Sequence, residues 1–145
     1  MSWTYEQSSG FLVAADGIKL FPPGYAGRGS GKNNPAMQNV KDVGPLPCGF
    51  YTMTELIEDD PITGRYTIVL VPDASNEMFG RDAFRIHGDS IEEPGNASDG
   101  CIVQYLDNRV TAWTSPDHRL EVVATLPSRI FSGTSGAFSA PRSDQ

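Results

Sequence analysis

The sequence predicts a mainly β, single-domain protein. Its 145 residues are enough for one hydrophobic core. Short apolar segments rich in Tyr, Thr, Val and Ile alternate with turns rich in Gly and Pro, which indicates about eight strands. A single segment has helical periodicity, and no repeats occur, so β-structure dominates the expected fold.

The first predicted elements form a meander. Residues 3–5 and 11–13 flank a polar stretch that ends at Gly10, and this arrangement indicates a hairpin. The Asp-Gly pair at residues 16–17 is a strong two-residue turn signal. It leads into a third apolar segment at residues 18–21, which we expect to be the next strand.

Longer strands are predicted in the middle of the chain. A glycine-rich loop at residues 24–39 is followed by residues 49–56, which alternate as a half-buried strand does. After a turn at residues 58–64, the β-branched run at residues 66–71 is the best candidate for a central strand. Residues 83–87 form a short strand that ends in histidine.

The C-terminal part contains the predicted helix and a tail. Apolar side chains of residues 102–113 fall near one helical face, so one helix is expected there. Residues 120–126 are the last predicted strand. Ser, Gly, Ala and Pro dominate residues 127–145, so we expect a folded domain at residues 1–126 and a poorly packed C-terminal tail.

Charge and hydropathy exclude several partners. The chain has 11 Lys and Arg against 18 Asp and Glu, a formal charge of −7, so no nucleic acid partner is expected. No basic run or long apolar run indicates a membrane partner. The start, MSWTYEQSSG, has neither a positive leader nor an apolar segment, so we expect synthesis in the cytoplasm without a signal peptide.

Neither a metal nor another cofactor is expected. The candidate ligands Cys48, His87, Cys101 and His118 lack the spacings typical of zinc sites. We expect His118 to be solvated in a polar turn and Cys48 to pack as a small apolar residue. Two cysteines in a reducing compartment do not predict a disulfide.

The glycine-rich loop does not match a phosphate-binding loop. Counting back from Gly31-Lys32 places Ala26 where that motif needs its first glycine, and Asn33 replaces the magnesium-binding hydroxyl. We interpret the segment as a shaped loop whose length favours a position beside a binding site.

His87 and Cys101 are the candidate reactive pair. His87 ends a predicted strand, and Gly88 leaves one face of its ring open. Cys101 follows Gly100 and precedes the predicted helix, whose dipole would favour a thiolate. Such a pair supports acyl transfer, because sulfur attacks a carbonyl and imidazole protonates the leaving amine. An inert, buried Cys101 is the alternative that these residues alone leave open.

Several sequence blocks carry a resemblance to a known family. Ile86-His87-Gly88 and, after a loop, Ser98-Asp99-Gly100-Cys101-Ile102 resemble the L,D-transpeptidase signature. Further blocks resemble the type VI secretion L,D-transpeptidase effector branch over roughly residues 3–125. They are the Trp-x-Tyr start at residues 3–5, the glycine loop at 24–35, Gly-Pro-Leu-Pro-x-Gly-x-Tyr at 44–51 and Gly-Arg-x-x-Phe-x-Ile-His-Gly at 80–88.

This resemblance implies a fold, an activity and residue roles. Residues 1–126 would form an L,D-transpeptidase-like β-sandwich with one or two short helices. Cys101 would be the nucleophile and His87 its base, the N–H groups of Gly100 and Cys101 would form the oxyanion hole, and Ser98 would help to hold the histidine loop. The residues implied in substrate binding are Gly88, Asp99, Tyr25, Asn33 and Arg81.

The implied substrate is the peptidoglycan stem peptide. Enzymes of this family release the terminal D-Ala that follows the third-position diamino acid. Water then accepts the acyl group, as in an L,D-carboxypeptidase, or an amine accepts it, as in cross-linking or exchange with a free D-amino acid. No cofactor is implied.

The chain departs from cell-wall L,D-transpeptidases at two positions. Asp99 replaces the histidine before Gly-Cys, and Val103 replaces an arginine two residues after the cysteine. The missing arginine disfavours ordinary cross-linking and favours trimming or D-amino-acid exchange. Arg81 or Arg85 could supply the cation for a substrate carboxylate, and a surface salt bridge is the alternative for each.

The functional hypothesis is therefore an antibacterial type VI secretion effector. The secretion machinery would carry it from the producer's cytoplasm to the periplasm of a target cell, and the producer would need a cognate immunity protein. Two alternatives remain from the sequence. One is a non-catalytic peptidoglycan-binding or virion-associated module, and the other is a phage-encoded lysis enzyme with the same chemistry.

Overall fold

A computed structural model describes residues 1–127 as one small domain built on an open mixed sheet of eight strands with one helix. In chain order the elements are β1 (Ser2–Glu6), β2 (Leu12–Val13), β3 (Tyr25–Ala26), β4 (Gly49–Asp60), β5 (Gly64–Pro72), β6 (Arg85–His87), β7 (Ile102–Val103), α1 (Leu106–Thr114) and β8 (Arg119–Val123). Two short 3₁₀ turns, Gly29–Gly31 and Pro35–Met37, lie in the glycine-rich loop. The mainly β prediction is confirmed, with one refinement: the strands form one sheet rather than the two sheets of a sandwich.

The sheet runs in the order β2-β1-β8-β4-β5-β6-β7-β3. Its centre is the β4–β5 hairpin, which pairs antiparallel as far as Asp60 and Gly64. The turn predicted at residues 58–64 is therefore shorter, because the strands continue almost to the reversal. Ile68 and Leu70 of β5 are buried in the core, as expected for a central strand.

The predicted meander is only partly correct. β1 pairs antiparallel with β2, as predicted, but the third segment is reduced to an isolated bridge between Val13 and Lys19. Two prolines at residues 22–23 follow that segment, and a proline has no N–H to donate to a strand ladder. β1 instead gains a parallel partner in β8, which ends at Val123, earlier than the sequence indicated.

The helix predicted at residues 102–113 was wrong at its start. Ile102 and Val103 form β7, which lies between β6 and β3, and α1 begins at Leu106. Both β7 side chains are β-branched and buried, so sheet packing overrides the local helical periodicity. Cys101 therefore precedes a strand and not a helix.

α1 is anchored to β5 by a buried arginine. Arg109 donates from Nε to the carbonyl of Tyr66 and from Nη2 to that of Arg65. Across residues 1–127, no helix has the length and apolar character needed to cross a membrane. The proposed tail lies, from residue 128 onwards, outside the described residues, so the domain boundary at residue 126 stays a prediction.

Candidate functional site

The pairing of β6 with β7 brings His87 and Cys101 to one place. The two strands are parallel, with Ile86 opposite Ile102 and His87 opposite Val103. Extending this register by one residue places Cys101 opposite Arg85. Side chains alternate between the faces of a strand, so His87 and Cys101 share a face while the two isoleucines point into the core. Their Cα atoms are about 8 Å apart for this offset, within reach of the two side chains.

A groove of about 860 Å³ opens at this point. His87, Gly88 and Cys101 line it, together with the segment that precedes β6, the loop from Asp89 to Asp99 and the β4–β5 turn. Its ionisable lining residues are Lys41, Asp42, Arg81, Asp82, Arg85, Asp89, Glu92, Glu93 and Asp99. The groove therefore presents both signs of charge around one thiol and one imidazole.

His87 is held as a neutral base. It is only 4% exposed, and its Nδ1 lies 2.8 Å from the carbonyl oxygen of Gly88. Because a carbonyl only accepts, Nδ1 carries the proton and Nε2 keeps its lone pair. Burial lowers the pKa of His87, and the charge of Arg109 acts in the same direction, while the Gly88 bond and two carboxylates oppose it. The lowered pKa keeps the ring ready to accept a proton near pH 7.

Cys101 is a partly buried thiol with a raised pKa. Burial raises the pKa of Cys101, and the backbone N–H and positive charge of Arg85 offset only part of this effect. Its Sγ lies 3.8 Å from the carbonyl of Ala83. The expected lowering by a helix dipole was wrong, because no helix begins here. The resting sulfur is therefore a thiol that needs a base to become a nucleophile.

Ser98 organises the turn that carries the nucleophile. Its fully buried Oγ accepts hydrogen bonds from the N–H groups of Gly27 and Gly100 and donates to the carbonyl of Cys101. These bonds join the nucleophile turn to the glycine-rich loop, and none of them involves His87 or Gly88. The Gly100 N–H is engaged by Ser98, so its role in an oxyanion hole stays a prediction and requires release of that bond.

We expect Ser98→Ala to lower the free energy of unfolding by about 2 kcal/mol, because three buried polar groups lose their partner. Urea unfolding followed by far-UV circular dichroism measures the change. Ser90→Ala is the matched control: Ser90 Oγ also accepts a backbone N–H, from Glu93, but in an exposed loop. An equal loss in both variants would contradict the assigned role of Ser98.

Arg81 fixes the backbone on the other side of the nucleophile. It is 6% exposed and donates to four carbonyl oxygens, those of Gln38, Gly44, Pro45 and Asp99. A Cβ on Gly100 would lie 2.5 Å from Arg81 Nη2, and Gly100 has a φ of +137°. The close packing requires glycine beside the nucleophile. Arg81 is thus a backbone anchor whose two terminal nitrogens are already engaged.

Tyr25 and Asp89 pin the loop between the two reactive residues. The Tyr25 hydroxyl donates to Asp89 Oδ1 and accepts from the N–H of Ala97. Partial burial and the Asp89 bond raise the pKa of Tyr25 to about 12. Burial raises the pKa of Asp89, but bonds from Tyr25, Gly95 and Ser90 outweigh it, and the net shift is downward. Tyr25 lines an adjoining cavity of about 350 Å³, which Gly88 and Asp89 share with the main groove.

The two other predicted binding residues, Asn33 and Asp99, differ in their position. The side-chain oxygen of Asn33 accepts from the N–H of Ala26, so Asn33 braces the glycine-rich loop rather than the groove lining. Asp99 does line the groove, and its exposed carboxylate pairs with Arg28 at 2.9 Å. Their contribution to substrate binding stays a prediction.

His118 and Cys48, the remaining histidine and cysteine, contact other side chains and do not line the groove. The expectation that His118 is solvated was wrong, because its ring stacks on Trp113 at 4.4 Å and Nε2 lies 2.8 Å from the Trp113 carbonyl. Cys48 is partly buried, with Sγ 3.4 Å from Gln7 Oε1. Within residues 1–127, no group of three or more His, Cys, Asp or Glu side chains is placed to hold a metal ion.

Sequence reasoning missed the part played by Arg109. A Cβ on Gly88 would lie 2.9 Å from Arg109 Nη1, and this nitrogen also donates to the carbonyl of Gln104. Arg109 thereby packs beneath the strand end that presents His87. The signal in the sequence was an arginine on the apolar face of a predicted helix, which indicates a buried, fully bonded guanidinium.

The chain matches a known family over most of its length. The family model described as the Tlde1 domain matches residues 22–127, which is most of the chain and includes both reactive residues. No curated protein and no solved structure matches the chain.

Proposed function

The chain belongs to the Tlde1 domain family of type VI secretion L,D-transpeptidase effectors, which target peptidoglycan, and from this premise we propose that it is a cysteine enzyme that cleaves stem peptides. The bond attacked is the amide between the third-position diamino acid and the terminal D-Ala. One observation carries the proposal: the imidazole at the end of β6 and the thiol immediately before β7 line the same groove.

The first half-reaction forms an acyl-enzyme. His87 Nε2 takes the proton of the Cys101 thiol as Sγ attacks the amide carbonyl, and a bond forms between sulfur and carbon. The imidazolium then gives this proton to the nitrogen of D-Ala, the carbon–nitrogen bond breaks, and a thioester remains. Gly88 stabilises the imidazolium through the bond its carbonyl accepts from Nδ1.

The second half-reaction frees the sulfur. Water, or the amine of a free D-amino acid, attacks the thioester while His87 Nε2 accepts its proton. The thiolate leaves and recovers a proton from the imidazolium. With water the product is a tripeptide stem, and with an amine it is an exchanged stem. A valine at position 103, buried in β7, leaves no cation at the place where cell-wall enzymes carry arginine, which favours small acceptors over a second stem.

The tetrahedral intermediate needs donors for its oxygen. The backbone N–H groups of Gly100 and Cys101 are the proposed pair, since they lie immediately before β7, next to the sulfur. The Gly100 N–H is bonded to Ser98 Oγ at 3.0 Å in the resting site. We propose that this bond yields or is shared as the negative oxygen develops, because a charge-assisted bond is the stronger one.

The biological setting follows from the family. We propose that the protein is delivered by a type VI secretion system and acts in the periplasm of the target cell, and that its producer is protected by a cognate immunity protein. Removing the D-Ala from stems, or replacing it by another D-amino acid, changes the stem ends on which cross-linking enzymes act, and this would account for toxicity.

The test uses purified tetrapeptide-stem muropeptides with and without an added free D-amino acid. Mass spectrometry is expected to show loss of one D-Ala without the amino acid and its replacement when the amino acid is present. Pentapeptide stems are the control substrate. If the tetrapeptide stems stay intact while the protein still sediments with peptidoglycan sacculi, the binding-module alternative replaces this proposal.

A further inference from the structure

The groove arginine Arg85 differs in its bonding from two other arginines near the reactive pair. Arg85 stands opposite Cys101 across the β6–β7 pair and lines the groove. Its Nε is buried and makes no hydrogen bond within residues 1–127. By contrast, Arg81 donates to four carbonyls, and Arg109 donates to three.

The acidic neighbour of Arg85 does not satisfy it. Asp60 Oδ2 lies 3.9 Å from Arg85 Nε, which is an ion-pair distance and too long for a hydrogen bond. Asp60 Oδ1 instead accepts from the N–H groups of Ile62 and Thr63 at 2.8 and 2.9 Å. The Asp60 carboxylate is thus bonded to the N–H groups of its own turn. The Arg85 guanidinium therefore keeps unused donors beside the reactive sulfur.

A donor group left without a partner in a partly buried site favours an anionic ligand. A guanidinium matches a carboxylate in particular, because its planar fork can donate two parallel bonds. Nε itself is buried, but the Arg85 side chain as a whole is 32% exposed, so a ligand in the groove can reach the terminal nitrogens of the guanidinium.

Distances along a peptide identify the ligand group. The terminal carboxyl carbon of the leaving D-Ala is one residue beyond the attacked carbonyl, about 3.5 Å away. Arg85 stands opposite Cys101 on the neighbouring strand and both side chains line the groove, so the long Arg85 side chain can reach a carboxylate one residue from the attacked carbon. We propose that Arg85 binds the terminal carboxylate of the leaving D-amino acid and so restricts the enzyme to stems that end one residue after the scissile bond. This inference rests on the proposed function.

The kinetic test compares a tetrapeptide stem with the same stem amidated at its C-terminus. Wild type is expected to favour the free acid by about 10- to 100-fold in kcat/KM, mainly through KM. Arg85→Gln should reduce this preference to less than about threefold, and Arg85→Lys should restore part of it. Arg65→Gln, at an exposed arginine of β5 outside the groove, is the charge-matched control and should keep the full preference.

Equal cleavage of acid and amide by wild type would overturn the inference. So would loss of the preference in Lys41→Gln but not in Arg85→Gln, since Lys41 is another cation of the groove lining. A structural role for Arg85 would slow both substrates alike and leave their ratio unchanged, which is also a contrary result.

A binding measurement separates this inference from the proposed function. If wild type cleaves neither stem, calorimetry with Cys101→Ala protein compares binding of the acid and the amide. Tighter binding of the acid that is lost in the Cys101→Ala, Arg85→Gln double variant supports the carboxylate site without any catalysis. Equal binding of acid and amide to Cys101→Ala overturns it.

Discussion

Cys101→Ala is expected to abolish D-Ala release from tetrapeptide stems, with a loss of about 10⁴-fold or more in kcat. No other described side chain at the groove supplies a sulfur, and alanine leaves His87 without a proton to remove. The fold should survive, because the Cys101 side chain is only partly buried and the turn is held through the backbone by Ser98 and Arg81. Mass analysis of digested muropeptides measures D-Ala release, and urea unfolding measures the stability of the fold.

Cys48→Ala is the matched control. It removes the other cysteine of the chain, a partly buried thiol beside Gln7 that does not line the groove. Activity within about twofold of wild type is expected. If Cys48→Ala and Cys101→Ala lost activity equally, or if Cys101→Ala kept releasing D-Ala, the assignment of the nucleophile would be wrong.

Local patterns predicted the elements that depend on near neighbours in the chain. The β1–β2 hairpin followed from its flanking apolar segments and turn residues, the central strand β5 followed from its β-branched run, and a short strand ending at His87 was also predicted. These features depend on side-chain period and turn chemistry, which a single sequence displays. The motif resemblance added the pairing of His87 with Cys101, and the β6–β7 register places them together.

Features that depend on distant partners were missed. β7 is two residues long and exists because β6 and β3 lie on either side of it, so helical periodicity in the following residues concealed it. The bonds of Arg81 to four carbonyls and of Ser98 to Gly27 join segments that are far apart in the chain. No local pattern encodes such bonds, because any arginine or serine has the donors to make them.

Because a strand and not the predicted helix follows Cys101, the expected chemistry changes. A helix dipole would have favoured a preformed thiolate–imidazolium pair, in which both groups are charged at rest. The structure raises the pKa of the thiol by burial and lowers that of the imidazole by burial, so both groups are neutral at rest. Proton transfer then accompanies attack, and the activity depends on the neutral form of His87.

His87→Gln is therefore expected to lower kcat/KM by about 10³-fold or more, because the amide cannot accept the thiol proton. In wild type, kcat/KM should rise with pH through an apparent pKa below the usual 6.5 of histidine, since protonation of the ring removes the base. It should stay level through neutral pH and fall only above the usual thiol pKa, since the raised pKa of Cys101 delays loss of the catalytic proton. A pH series with tetrapeptide stems measures both limbs of the profile, the rise of kcat/KM at acidic pH and its fall at alkaline pH.

His118→Gln is the control for the acidic limb. This ring stacks on Trp113 away from the groove, so its removal should leave the limb in place. Thiol alkylation by iodoacetamide provides an independent readout: reactivity should climb only at alkaline pH in wild type. Rapid alkylation of Cys101 at pH 5 would indicate a preformed ion pair and contradict the neutral resting state, because a thiolate stabilised by imidazolium reacts before the ring is deprotonated. An acidic rise of kcat/KM centred above pH 6.5 would contradict the lowered pKa of His87.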